Sequence, residues 1–174
     1  MPSLLQEILD SPKLSRIRRN HALEHATIHL LAARYPRALL VGRSDAQGFY
    51  LYGDVPTQEV EHAVVEALAR LRAGEHRLAL HPTCGTSFVT AGTLSGLAAF
   101  LTTLGPKDER RRDRWARLPF TILAATLGVI VAQPLGLAVQ RHLTTKAAPG
   151  SLSLLGVQRL RPGGAVIHRV LTNG

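Results

Sequence analysis

A single cysteine, Cys84, stands in a chain of 174 residues, so no disulfide can close within it and nothing points to an oxidising compartment. Aromatic residues make up only 5%, too few to interleave with cations as a base-stacking surface, and no nucleic-acid-binding motif is present. No nucleic acid is expected as a partner. Acidic residues are scarce too: 12 Asp and Glu face 21 Lys and Arg, a net charge of +9. A surface of that sign suits anionic lipid. No internal repeat is visible. Leu4, Leu5, Ile8 and Leu9 are apolar, but Glu7 and Asp10 interrupt them and no small-residue cleavage site follows. They predict a short amphipathic helix, resting on the protein body or the membrane surface, and not a signal peptide.

What the chain does have is a concentrated run of histidine, Asn20-His21-Ala22-Leu23-Glu24-His25-Ala26-Thr27-Ile28-His29. It lies near the end of a helix predicted from the Ser11-Pro12 start signal, a hydroxyl N-cap and Pro at the first position, to about Arg34, where Tyr35 precedes Pro36. On a helix His21, His25 and His29 stand one per turn on one side, with Glu24 beside them. Two neutral imidazoles a turn apart can converge on one Zn²⁺ at about 2.0–2.1 Å. A carboxylate just off their axis can take a proton from a metal-bound water. His21 and His25 are therefore the expected metal ligands and Glu24 the expected catalytic base.

A hairpin is predicted next, Ala38 to Gly42 and Gly48 to Gly53 around Ser44–Gly48. A second helix opens at Asp54-Val55-Pro56-Thr57, with Val60, Val64, Ala67, Leu68 and Leu71 as its apolar stripe, and stops at Ala73-Gly74. Arg77 to His81 is expected to be a third strand. It leads into His81-Pro82-Thr83-Cys84-Gly85-Thr86, whose His-x-x-Cys spacing offers an imidazole and a thiolate to a zinc site. Cys84 and His81 are thus expected to complete the ion's coordination, with Cys84 the stronger ligand.

Two stretches then carry no charge, Ser87 to Pro106 and Leu118 to Gln140. Each is long enough to cross a hydrocarbon core at about 1.5 Å per residue. A transmembrane hairpin is expected, with Gly92 and Gly96 as a GxxxG face for a neighbouring helix, another membrane protein or a second copy. Pro134 is expected to kink the second span. The loop Lys107 to Arg117, rich in Arg and holding Trp115, suits a lipid interface. Cations flank the other ends in comparable number, so charge does not set the orientation; the amino-terminal region is expected on the cytoplasmic side of a bacterial plasma membrane. After the Lys146–Gly150 linker, Val157 to Leu160 and Ala165 to Val170 predict a β-hairpin around Pro162-Gly163-Gly164. Its His168 is expected at the surface.

The fold class is therefore α+β: a helix–strand–strand–helix–strand domain over residues 1–85, a transmembrane helical hairpin over 86–145, and a β-hairpin over 146–174 completing the sheet. The runs Arg19–Thr27, Gly48–Pro56 and His81–Thr86, followed by two apolar helices, resemble a family of small bacterial membrane proteins. That resemblance implies a membrane protein with a small α+β domain and brings no activity. His21-Ala22-Leu23-Glu24-His25 separately resembles the His-x-x-Glu-His signature of inverted zinc proteases. Those enzymes take a third ligand, a Glu, from a helix well downstream, whereas Glu59, Glu61 and Glu66 lie much closer here. Two functions are expected: a membrane-anchored zinc-dependent hydrolase acting on peptides, or a non-catalytic membrane protein with a closed structural metal site.

Overall fold

The computed structural model describes residues 4–104, 115–160 and 166–174. Most of the Arg-rich loop and the Pro162-Gly163-Gly164 turn lie outside the described residues. The chain divides into two compact units, one formed by residues 1–81 and 141–174, the other by 82–140.

The first unit opens with α1 (Leu4–Asp10) and α2 (Pro12–Arg34). Pro12 has no N–H to continue α1 and is preorganised to start α2. The Ser11 hydroxyl does not cap α2, contrary to the expectation; it turns back onto Ile8 O at 2.7 Å. Tyr35 N closes the last turn on Leu31 O at 2.7 Å, and Pro36 stops the helix. Strands β1 (Val41–Asp45) and β2 (Gly48–Tyr52) form a tight antiparallel hairpin. Helix α3 (Thr57–Arg72) buries the predicted stripe Val60, Val64, Ala67, Leu68 and Leu71. Strands β3 (Ser153–Leu160) and β4 (Ile167–Asn173) complete an antiparallel sheet of order β1-β2-β4-β3. The carboxy-terminal hairpin thus joins the amino-terminal one through β4, as its apolar alternation requires.

In the sheet successive side chains point to opposite faces. Phe49 and Leu51 of β2 and Val170 of β4 share the inner face and pack with Leu23, Leu31, Val60, Val64 and Leu71 from α2 and α3. Buried polar pairs fix the helix on the sheet. Asn20 donates to Asp45 O at 2.9 Å and accepts from Thr172 Oγ1 at 2.8 Å.

Further expectations fail in this unit: β1 runs Val41–Asp45 and not Ala38 to Gly42, with Ser44 and Asp45 paired in the ladder and not in the turn. Arg77 to His81 is not a strand: His76–Ala79 form a single 3-10 turn, and its carbonyls serve the α2 histidines, as described below. His168 is not at the surface. It lies opposite Leu51 on the inner face and is fully buried.

The second unit is a helical hairpin of α4 (Gly85–Thr103) and α5 (Leu118–Val139). A π turn over Gln140–Thr144 extends α5. Leu118–Thr144 is 27 residues and, among the described residues, the one helix long and apolar enough to cross a membrane. Pro134 sits within it. The helices run antiparallel, with Gly128 against Ser95 and Gly136 against Ser87. A Cβ on Gly128 would come within 2.8 Å of Ser95 Cα and 3.0 Å of Leu94 O, so glycine lets the backbones approach. The expected Gly92 and Gly96 are not at this crossing and face open space. Gln140 Nε2 ties the ends by donating to Ser87 Oγ at 2.7 Å. Phe88, Phe100, Phe120, Ile122 and Ile130 are exposed.

Candidate metal centre

The third quarter of α2 is buried on nearly every side: Ala22 to Ile28 are all buried. Imidazoles in such a setting need partners, and short backbone segments supply them. His21 Nδ1 lies 2.9 Å from Thr144 O, and His25 Nδ1 lies 2.8 Å from Ala79 O. A carbonyl oxygen only accepts, so each Nδ1 carries the hydrogen. Each Nε2 of the neutral ring is then the lone-pair nitrogen. A backbone carbonyl fixing one nitrogen while the other stays basic is the arrangement that orients ligating histidines.

The two rings meet edge to face, with centroids 4.3 Å apart. His21 and His25 thus lie on one side of α2, as their spacing predicts. His29 is bonded the other way round: Nε2 donates to Leu80 O at 2.8 Å, leaving Nδ1 as the basic nitrogen. His81 packs against both lower rings, 5.8 Å from the His25 centroid and 4.7 Å from that of His29. Burial, with His29 and His25 alongside, pushes its pKa down to about 4. At neutral pH its imidazole is uncharged.

Glu24 is 4% exposed and projects toward the sheet, not into the histidine cluster. Its carboxylate accepts a short hydrogen bond from Ser44 on β1. Gly42, also on β1, leaves the space its side chain occupies. Burial raises the Glu24 pKa, against the Ser44 hydroxyl and the nearby His21, which lower it. A carboxyl pKa moved upward by burial is the direction that suits a proton-transfer group. Cys84 belongs to the second unit and immediately precedes α4. Three residues of chain tether it to His81, a span of at most about 11 Å between Cα atoms.

Of the expected ligands His21, His25, Cys84 and His81, the three imidazoles lie together in the first unit, and Cys84 belongs to the second. Sequence reasoning missed the groups that position the helix side chains: the carbonyls of Thr144, Ala79 and Leu80 for His21, His25 and His29, and Ser44 and Gly42 for Glu24. A glycine inside a strand signals close approach of another group, and Gly42 carried that signal.

Fold and cluster together define an α+β protein with an apolar helical hairpin and a backbone-oriented histidine group. The chain belongs to the family described as a domain of unknown function, DUF6391, whose model matches residues 16–157. It is 41% identical over 157 residues to an uncharacterized protein of Picosynechococcus sp., covering 82% of this chain and 71% of that one. No solved structure matches.

Proposed function

We propose that this chain is a membrane-anchored metal-binding protein, with zinc held by His21 and His25. The observation that carries the reading is the paired tautomer: both Nδ1 atoms are tied to backbone carbonyls, which leaves both Nε2 atoms basic on adjacent, touching rings. His81 is the neutral imidazole nearest them. Cys84, tethered by three residues, supplies the thiolate that a tetrahedral site accepts at about 2.3 Å. The anchor is the α4–α5 hairpin, supported by the length and composition of α5 and by the exposed apolar side chains of both helices. Thr144, whose carbonyl orients His21, is the last residue of the apolar stretch Leu118–Thr144.

A second reading, hydrolysis by a zinc-bound water with Glu24 as base, draws support from one feature, the raised pKa of a buried carboxyl one turn from His21. Catalysis needs an open coordination position, so at most three protein ligands then bind. Metal content of protein purified without chelator tests the proposal. Elemental analysis of wild type should find about one zinc per chain, largely lost in His21→Ala and His25→Ala. Metal-free wild type overturns it. Glu24→Gln separates the two readings: it should keep metal in both, abolish peptide turnover if the site is catalytic, and change nothing measurable in turnover if the site is closed.

A further inference from the structure

We infer that α1 is a second contact with lipid, an interfacial helix lying along the headgroup region where α5 leaves the membrane. The inference rests on the reading of α5 as a membrane span. In α1, Leu4, Leu5 and Ile8 are 74%, 54% and 53% exposed, and helical spacing gathers them on one arc, with Leu9 at its edge. Gln6, Glu7 and Asp10 occupy the opposite arc. A helix of seven residues is too short to persist in water on its own propensity. Its end is what the structure secures. Ser11 N and Oγ both bond Ile8 O, and Arg18 Nη1 donates to Leu9 O at 3.3 Å.

That same Arg18 fixes where α1 stands. Its Nη2 donates to His142 O at 2.9 Å and to Thr145 O at 3.1 Å. Asp10 pairs with Lys146 at 2.8 Å. One guanidinium therefore grips both the last turn of α1 and the last turn of the long apolar helix. With α5 across the bilayer, covalent continuity sets residues 142–146 at headgroup level, and α1 with them. The charges agree: exposed Lys13 and Arg141 flank this point, complementary to anionic phospholipid. An amphipathic helix so placed buries its apolar arc about 5–10 Å into the headgroup boundary.

The test uses the full chain in phosphatidylcholine–phosphatidylglycerol vesicles, with Trp115→Phe and one new tryptophan at a time. Leu5→Trp probes the apolar arc of α1, Glu7→Trp its polar arc, and Ile130→Trp the span. In lipid brominated near the headgroup, Leu5→Trp should lose most of its emission and Glu7→Trp should lose little. Ile130→Trp should be quenched by bromine deeper in the acyl chain. If Ile130→Trp is quenched while Leu5→Trp is not, α1 is off the membrane and the inference falls. If the Leu5→Trp emission is blue-shifted yet indifferent to bromine, protein covers the helix and the inference falls equally. If neither probe responds, the spanning reading itself has failed.

Discussion

Glu24 packs closely over Gly42, and Gly42→Ala turns that contact into a measurable energy. A Cβ built on Gly42 falls 2.5 Å from Glu24 Cγ and closer still to the carboxyl. Neither partner has room to yield: Glu24 is buried and bound by Ser44, and Gly42 is paired with Leu51 in the sheet. Overpacking of this kind costs about 1–3 kcal/mol. Displacing the carboxyl from the Ser44 hydroxyl adds about 1–3 kcal/mol for a buried polar group left unpaired. The expected loss is about 2–6 kcal/mol. At about 2–4 °C per kcal/mol for a chain of this size, Tm falls by about 4–24 °C. Circular dichroism melting in detergent, with chelator present so that metal contributes nothing, reads it out. The control is the same substitution in a Glu24→Ala background. The clash is gone there, and the cost of Gly42→Ala should drop below about 1 kcal/mol, a coupling large enough for a double-mutant cycle. A Gly42→Ala protein as stable as wild type, or equally destabilised in both backgrounds, would refute the placement of Glu24.

Arg18→Lys should destabilise by about 2–3 kcal/mol, because an ammonium cannot fork across Leu9 O, His142 O and Thr145 O as the buried guanidinium does; an unchanged melting temperature would contradict this. His168 is fully buried with neither ring nitrogen hydrogen-bonded among the described residues, and burial, with Arg159 nearby, lowers its pKa against the opposing pull of Asp54. The folded chain thus holds it neutral while the unfolded chain takes up a proton as pH falls through about 6.5. Wild type should lose stability relative to His168→Leu from about pH 7 downward until the lowered folded pKa is passed. Parallel stability profiles across that range would overturn this account of His168.

The start and stop of α2 were legible because Pro12 and Tyr35-Pro36 act locally, although the Ser11 hydroxyl does not cap the helix as expected. The stripe of α3 and the alternation of β2 and β4 were legible for the same reason. Arg77 to His81 was not. Leu78, Ala79 and Leu80 alternate like a strand over too few residues to exclude a turn, and what decides is distant: His25 and His29 take the carbonyls of Ala79 and Leu80. Register explains His168, since a shift by one residue exchanges the faces of a strand and only the pairing with Leu51 turns it inward. The histidine spacing on α2 announced a shared face. It gave no sign that Glu24 turns toward β1, because Gly42 and Ser44 are brought there by the sheet. Gly92 and Gly96 matched the expected pattern, but the helix crossing uses Gly128 and Gly136, eight residues apart on α5.

Anomalous X-ray scattering at the zinc edge, from crystals of protein prepared without chelator, bears most directly on the metal centre. The account predicts a peak about 2.0–2.1 Å from the Nε2 atoms of both His21 and His25, with their Nδ1 atoms still on Thr144 O and Ala79 O. Zinc bound elsewhere, or no peak at these two nitrogens in zinc-replete crystals, would contradict it.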